Sequence, residues 1–219
     1  MEQNAEKNWM MGYHVATQDR AQAILNGADF YDSTSDDAWL GRGVYFWYYL
    51  AHAEWWMQYG RNRNGPLRAQ TTQNLMVRLE YEDGQLLDLD NPDDWNLMDE
   101  VVREFFQVAG TSDLPTAANF DSQPWEKRVC SACNLLKNTF PEIGIIVYTF
   151  FPKKVPPSRS GIRYNQRQIC VSNHTLIAHV EAVPKGMRRR VPGKQGKILP
   201  FPVVDESIPL TDEAGTLDT

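Results

Sequence analysis

A glycine turn followed by a dense run of aromatic residues is the first place in this chain where chemistry is possible. The turn Gly41-Arg42-Gly43 leads directly into Val44-Tyr45-Phe46-Trp47, which has the pattern of a short strand. Glycine has no Cβ, so a ligand can approach its main chain closely. The following residues 48–59 are rich in rings, among them Trp56. Such rings can form a stacking slot for a flat heteroaromatic ligand, but on spacing alone a place in the hydrophobic core is favoured.

One histidine and two glutamines are further candidates for binding or catalysis, because each lies in a stretch with the sequence pattern of a strand. His14 lies in the apolar run from Met10 to Ala16, where a hydrogen-bonded structural histidine is the plainer interpretation. Gln166 and Gln168 directly precede Ile169-Cys170-Val171. Residues two positions apart on a strand lie on the same face, so both amide side chains are expected on one face of the sheet.

The cysteines do not indicate a metal centre or a disulfide framework. Cys130 and Cys133 have C-x-x-C spacing inside a predicted helix, and no second pair of ligands lies nearby, so a buried structural role is favoured over zinc or redox chemistry. With Cys170 the chain has only three cysteines, which favours a reducing compartment.

Composition indicates a soluble globular domain. Hydrophobic residues make up 42% of the 219 residues and charged residues 23%, and no apolar run approaches transmembrane length. The net charge of −6 argues against non-specific binding of nucleic acid by the whole surface. The N-terminus lacks the basic and apolar regions of a secretory signal, so a cytoplasmic protein that does not contact membranes is expected.

Short strands that alternate with helices predict an α+β domain over residues 1–183, followed by a basic and then acidic tail over residues 184–219. The predicted strands are Met10 to Ala16, Val44 to Trp47, Leu75 to Tyr81, Leu86 to Leu89, Gly144 to Phe151, Gln168 to Ser172 and Leu176 to Val183. Helices are predicted from the Thr17 cap to Gly27, over Tyr48 to Tyr59, after Asn91-Pro92, and over Trp125 to Phe140.

Four stretches in this order carry a resemblance to a known family. Tyr13-His14-Val15-Ala16-Thr17, Ala23-Ile24-Leu25-x-Gly27, Gly41-Arg42-Gly43-Val44-Tyr45-Phe46 and Gln168-Ile169-Cys170-Val171 are similar to the successive motifs of ADP-ribosyltransferases. The similarity is to the branch with a His–Tyr–Glu triad, which includes poly(ADP-ribose) polymerases and toxins resembling diphtheria toxin. The resemblance implies a split β-sheet core, in which two antiparallel-type sheets pack together with flanking helices.

The resemblance also implies roles in holding NAD, the co-substrate. His14 matches the residue that donates to an adenosine-ribose hydroxyl, and the backbone near Val15 matches the group that holds the nicotinamide amide. Tyr45 matches the triad tyrosine, which stacks on nicotinamide, and Trp56 matches a second stacking aromatic. Ala53 stands where relatives often carry a serine. The implied NAD-binding set is His14, Val15, Ala16, Thr17, Gly43, Tyr45, Phe46, Ala53, Trp56 and Gln168, with His14, Tyr45 and Gln168 catalytic.

The third triad position departs from the family, which has glutamate there. Gln168 is the preferred match because Ile169 begins the apolar strand directly after it, and Gln166 offers a competing register. A neutral amide accepts a ribose hydroxyl but stabilises positive charge less than a carboxylate. Because chain elongation is linked in the family to the glutamate, the resemblance implies transfer of a single ADP-ribose. A weakly active or inactive module that binds NAD, ADP-ribose or a protein is the alternative.

The target is expected to bind on loops around the slot. Lys153, Lys154, Arg159, Arg163 and Gln166 precede or begin the glutamine strand, and Arg61, Arg63 and Arg68 lie in another loop. These local basic clusters suit phosphates of RNA or DNA, or an acidic protein surface; a solvated charged loop explains each cluster equally well. The resemblance implies a toxin or phage-defence effector, with an antitoxin or inhibitor protein as a partner.

Overall fold

The computed structural model describes residues 7–33, 38–61, 67–109, 120–151 and 165–184. Its strands are β1 (Asn8–Thr17), β2 (Val44–Trp47), β3 (Thr72–Tyr81), β4 (Leu86–Asp88), β5 (Ile145–Phe150), β6 (Gln166–Val171) and β7 (Ile177–Ala182). Its helices are α1 (Gln18–Leu25), α2 (Leu50–Arg61), α3 (Pro92–Ala109) and α4 (Trp125–Thr139), with a short 3₁₀ turn at His174–Leu176. The α+β class is confirmed. The tail predicted for residues 184–219 lies, apart from Pro184, outside the described residues.

The strands form one hydrogen-bonded sheet in the order β4-β5-β6-β2-β1-β3-β7. Neighbours are antiparallel except β4 and β5, which run parallel with Leu86 opposite Ile145. The long connection through α3 and α4 makes the parallel pair possible, since parallel strands need a crossover of a dozen or more residues. In its hydrogen bonding the sheet is thus single and mixed, rather than the two antiparallel sheets that the resemblance implied.

The sheet is nearly divided between β1 and β2. These two strands share a single register pair, Tyr13↔Trp47, whereas β1 and β3 pair without interruption from Asn8↔Tyr81 to Thr17↔Thr72. We call this opening between β1 and β2 the seam. It separates a group of four strands, β4-β5-β6-β2, from a group of three, β1-β3-β7. Backbone groups on either side of the seam therefore need partners other than a neighbouring strand.

Local sequence explains where several elements begin. Thr17 caps α1, since its hydroxyl accepts a hydrogen bond from the backbone N–H of Arg20. α3 begins at Pro92, where a missing N–H costs nothing, with Asp93 and Asp94 at the positive end of its dipole. β6 begins at Gln166, two residues before the predicted start, so both glutamines belong to the strand.

Each face of the sheet carries its own core. On one face, Val44 and Phe46 pack with Leu75, Ile169 and the α1 residue Ile24; we call it the α1 face. On the other, the α4 face, residues of α4 pack against alternate residues of β5 and β6; the buried members include Cys133, Leu136, Ile146, Phe150 and Cys170. Because neighbouring residues of a strand alternate, Tyr45 belongs to the α4 face. In the described part of the chain, no helix is long and apolar enough to cross a membrane.

Candidate functional site

His14 lies in the seam, where its side chain forms a hydrogen bond to the backbone of β2 in place of a backbone bond between the two strands. Its Nδ1 is 2.9 Å from the backbone oxygen of Tyr45. The ring also packs edge-on against Phe30, with centroids 5.2 Å apart, and lies 5.7 Å from the Phe46 ring. A carbonyl oxygen only accepts, so Nδ1 carries the hydrogen and donates it. The predicted family residues His14 and Tyr45 are thus joined directly, side chain to backbone.

Burial keeps His14 neutral. It lowers the pKa of the ring below its ordinary value, against the opposing effect of the hydrogen bond to Tyr45, and the charge of Arg20 lowers it further. With hydrogen on Nδ1, the Nε2 atom of the neutral ring is an acceptor. A ribose hydroxyl at this ring would therefore donate to Nε2, which is the reverse of the direction that the family resemblance implied.

The phenol of Tyr45 is fixed within the glycine turn. Its hydroxyl donates to the backbone oxygen of Gly41 at 2.7 Å and accepts from the backbone N–H of Leu40 at 2.8 Å. Burial raises the pKa of this hydroxyl strongly, and the neighbouring Cys170 raises it further. The phenol therefore stays protonated and both of its hydrogen-bonding roles are used, so Tyr45 offers a ring surface and not an acid or a base.

Two side chains of α4 hold the same turn, and neither was predicted from the sequence pattern. Asn134 Oδ1 accepts from the backbone N–H of Arg42 at 2.7 Å. Lys137 Nζ donates to the backbone oxygens of Leu40 at 2.8 Å and Arg42 at 2.7 Å, and lies 3.2 Å from the Cys170 sulfur. Together with Tyr45, these residues form what we call the turn clamp, which sets the position of the strand that follows.

Close packing requires both glycines of the turn. Gly41 has φ +77°, and a Cβ there would lie 2.4 Å from Asn134 Oδ1. Gly43 has φ +152°, and a Cβ there would lie 2.7 Å from the Cys170 sulfur and from the backbone oxygen of Val171. Both positions therefore need glycine because β6 and α4 approach the turn closely.

An ion-pair chain closes the outer side of the turn. Asp32 accepts from Arg42 Nε at 3.1 Å and lies 2.8 Å from His174 Nε2. Burial alone would raise the pKa of Asp32, but the hydrogen bonds and charges of His174 and Arg42 hold it below its ordinary value. The turn is thus fixed from two directions.

Gln168 is placed beside the aromatic residues of β2. It pairs in register with Trp47 on one side and Tyr148 on the other, and it is half-buried. Tyr45 lies opposite Cys170, so Tyr45, Trp47 and Gln168 share the α4 face. The His14 ring packs instead against Phe46, a residue of the α1 face. The structure therefore brings the predicted triad onto three adjacent strands, but it does not gather all three side chains on one face.

Gln166 shares the α4 face with Gln168 but differs from it in burial. It pairs with Phe150 and is 3% exposed, so it does not occupy the rim position expected for a target-binding residue. Its Nε2 is buried and has no hydrogen-bond partner among the described residues. Sequence periodicity placed the two glutamines on one face but could not show that only one of them would be sealed from solvent.

The remaining NAD-binding candidates contribute packing or backbone. Trp56 lies 6.1 Å from the ring of Trp47, and no ring pair between Trp56 and Tyr45 is found within the described ranges. Ala16 and Ala53 are buried, and the methyl side chain of an alanine offers no polar contact. Thr17 uses its hydroxyl as the α1 cap. Val15 lies within the β1–β3 ladder opposite Asn74.

The basic residues predicted to bind the target are mostly not described. Lys153, Lys154, Arg159, Arg163 and Arg63 lie outside the described residues, as does the side chain of Arg61, whereas Arg68 is exposed. In the part of the chain that the structure describes, no group of His, Cys, Asp or Glu could hold a metal ion, and none of the three cysteines forms a disulfide there. Burial raises the pKa of Cys133 to about 12 and that of Cys170 in the same direction, which disfavours a thiolate nucleophile.

Comparisons with protein-family models, with curated proteins and with solved structures find no match to this chain.

Proposed function

We propose that the protein is a mono-ADP-ribosyltransferase that uses NAD as its co-substrate. One observation carries the proposal most strongly. The strands that bear His14, Tyr45 and Gln168 are far apart in the sequence but adjacent in the sheet as β1, β2 and β6, and His14 is hydrogen-bonded to Tyr45 across the seam. The family resemblance requires these three strands to be neighbours, and their observed order supports the proposal.

The chemistry assigns a role to each of the three residues. Loss of nicotinamide from NAD passes through an oxocarbenium-like transition state at the ribose, as glycoside cleavage does. Neutral His14 accepts from a ribose hydroxyl at Nε2. The rigidly held ring of Tyr45 stacks on a flat group, and the Gln168 carbonyl accepts a second ribose hydroxyl next to the reacting carbon. Because an amide adds no negative charge, the rate is lower than with a carboxylate. The family resemblance links chain elongation to the glutamate, so with Gln168 transfer stops at one ADP-ribose.

The acceptor is a macromolecule, either nucleic acid such as RNA or a protein. A transferase of this kind acts as a toxin or phage-defence effector in the cytoplasm, and its host then needs an antitoxin or inhibitor protein.

A second candidate is a catalytically inactive module that binds NAD, ADP-ribose or a partner protein. Two observations favour it. The third triad position is an amide and not a carboxylate, and the His14 ring leans toward the α1 face while Tyr45 belongs to the α4 face. Transfer of label from NAD separates the two candidates, since only the enzyme attaches ADP-ribose to a target.

The test is incubation of the full chain with adenine-labelled NAD and a cell lysate, followed by protease or nuclease digestion of the products. We expect macromolecular label with the wild type and its loss in His14→Ala, while His179→Ala, an exposed histidine of β7, retains it. The digestion identifies the target class. Binding of NAD without any transferred label would favour the inactive module instead.

A further inference from the structure

At the seam, Gly12 of β1 lies directly against the side chain of Phe46 of β2. A Cβ placed on Gly12 would lie 2.8 Å from the Cβ of Phe46, 3.1 Å from its Cγ and 3.4 Å from its Cδ1. Carbon atoms that are not bonded to each other pack at about 3.5–4.0 Å. The φ angle of Gly12 is not in the left-handed region. The close approach of β2, and not the backbone conformation, is therefore what requires glycine at this position.

Phe46 has no room to move away from a side chain at position 12. It is 1% exposed, and its ring lies 5.5 Å from that of Phe30 and 5.7 Å from that of His14, measured between centroids. The nearest atom is its Cβ, which is bonded to the backbone and does not move when the side chain rotates. Because cores are closely packed, a methyl group on residue 12 would have to push β1 and β2 apart by roughly half an ångström or more.

The spacing of β1 and β2 decides one contact of the proposed site. Gly12 and His14 are two residues apart on β1 and so lie on the same face. Across the seam, His14 Nδ1 donates to the backbone oxygen of Tyr45 at 2.9 Å. A single register pair, Tyr13↔Trp47, links the two strands there. Separation of the strands would therefore stretch the hydrogen bond of His14 beyond the usual range of about 2.7–3.2 Å.

The hydrogen bond to Tyr45 also sets the tautomer of His14. In a neutral imidazole one nitrogen carries the hydrogen and the other accepts, and the partner of one nitrogen decides the role of the other. With Nδ1 bonded to a carbonyl oxygen, Nε2 is the acceptor that the proposed function assigns to a ribose hydroxyl. Without this bond, nothing keeps the hydrogen on Nδ1. The acceptor for the ribose is then lost.

We propose that Gly12 is a positioning residue of the NAD site, because its missing side chain lets β1 and β2 approach closely enough for His14 to donate to Tyr45 and to keep Nε2 as an acceptor. This inference rests on the proposed function, since it concerns how the same site holds its ligand. Gly12 does not touch the ligand and acts through His14.

The experiment compares Gly12→Ala with a second crowded glycine outside the seam. A Cβ on Gly144 would lie 2.5 Å from Leu176 Cδ1 and 2.9 Å from Asn173 Cβ, and its φ angle is not in the left-handed region either. Gly144 directly precedes β5, which β6 and β2 separate from the seam. Gly144→Ala is therefore the matched control for crowding alone.

Three quantities are measured on the full-length wild type and on both variants. NMR with isotope-labelled histidine nitrogens reports the tautomer of each of the four histidines, and His14→Ala assigns the signals of His14. Isothermal titration calorimetry gives the affinity for NAD. Thermal denaturation gives the melting temperature, and the other measurements are made below it.

We expect His14 to carry its hydrogen on Nδ1 in the wild type and in Gly144→Ala, and these two proteins to bind NAD alike. In Gly12→Ala, the tautomer with hydrogen on Nε2 should appear, and NAD affinity should fall about tenfold, as for the loss of one hydrogen bond. Both variants should melt at a lower temperature than the wild type, so lower stability does not account for changes that are confined to Gly12→Ala.

Hydrogen on Nε2 of His14 in the wild type would overturn the proposal without any variant. An unchanged tautomer in Gly12→Ala would also overturn it, as would an unchanged affinity of this variant where the wild type binds NAD. Equal losses of affinity in both variants, or failure of Gly12→Ala alone to fold, would assign Gly12 to folding and not to positioning. A changed tautomer in Gly12→Ala, with no NAD binding by the wild type, would refute the proposed function but support the control of His14 by Gly12.

Discussion

The glycine turn before β2 and the first residue of β6 differ in whether their polar groups are hydrogen-bonded. At the turn, the phenol of Tyr45 and the side chains of Asn134 and Lys137 pair with the backbone of residues 40–42. At the start of β6, the Gln166 amide is buried with its nitrogen unpaired. A fully paired region is rigid without help, whereas an unpaired buried donor lowers stability until something binds it. The turn therefore positions the strand that follows it, whereas the start of β6 carries a polar group that lowers the stability of the fold.

The largest expected effect is at Gln168, which the proposed function assigns to the substrate. Gln168→Ala should lose about 10²–10³ in single-turnover transfer rate, as is common when one positioned contact to a transition state is removed. Gln168→Glu should retain or raise the rate, because a carboxylate keeps the acceptor and adds favourable charge.

Single-turnover rates on one substrate, with Gln166→Ala as the comparison, decide between the two glutamines. If Gln166→Ala abolishes transfer and Gln168→Ala does not, the assignment is wrong by two residues. If neither change matters while His14→Ala does, the glutamines of β6 have no part in transfer.

Removing a hydrogen bond of the turn clamp should lower the free energy of unfolding more than it lowers the rate of transfer. Lys137→Met leaves the backbone oxygens of Leu40 and Arg42 without their charged donor, so we expect a loss of about 2–3 kcal/mol in the free energy of unfolding. Urea denaturation measures this loss. Lys127→Met, an exposed lysine of the same helix, is the control and should change stability little. Equal stability of the two variants would show that Lys137 does not hold the turn.

The close approach of α4 to the turn can be separated from backbone strain by two glycine substitutions. Gly41 and Gly84 have similar positive φ angles, +77° and +85°, but a Cβ meets Asn134 Oδ1 at 2.4 Å in the first and nothing within 4 Å in the second. Gly84→Ala should cost only the strain of a left-handed alanine, about 1–2 kcal/mol. Gly41→Ala should cost about 1–2 kcal/mol more, because it also displaces a hydrogen-bonded side chain. Denaturation midpoints that agree for both would rule out the steric part of the clamp.

The smallest effect concerns pH and the buried histidines. Burial lowers the pKa of His52 to about 4 and that of His14 in the same direction. The unfolded chain, with histidine pKa values near ~6.5, then binds more protons than the native state. Stability therefore falls as the pH decreases through that value, by about 0.7 kcal/mol for His52 between roughly pH 7 and pH 6, and His14 contributes in the same direction. Denaturation at the two pH values measures the decrease, and His52→Leu should reduce it. Stability that rises over this interval would contradict the neutral, buried state.

Much of the fold could be predicted from local sequence. The strand Val44–Trp47 was predicted with the observed bounds because a glycine turn and a helical ring pattern limit it on both sides. The start of α3 followed from Asn91-Pro92 in the same way. Parallel pairing of β4 with β5 could not be predicted, since it depends on how α3 and α4 return the chain to the sheet.

The site was less predictable because its contacts are nonlocal. His14, Tyr45 and Gln168 were identified by resemblance, and the structure places them on adjacent strands. The roles of Asn134 and Lys137 were missed, because the pattern of α4 shows which residues face the sheet but not which turn its polar residues meet. For Gln166, the pattern gave the face of β6 but not the burial.

Binding of NAD to the full chain, measured by isothermal titration calorimetry, tests the central claim most directly. It needs neither a target nor turnover, and so applies to the enzyme and to the inactive module alike. We expect measurable binding by the wild type and a loss of about tenfold or more in Tyr45→Ala, which removes a stacking ring. Absence of measurable binding by both proteins, with each shown to be folded, would contradict the claim that β1, β2 and β6 assemble an NAD site.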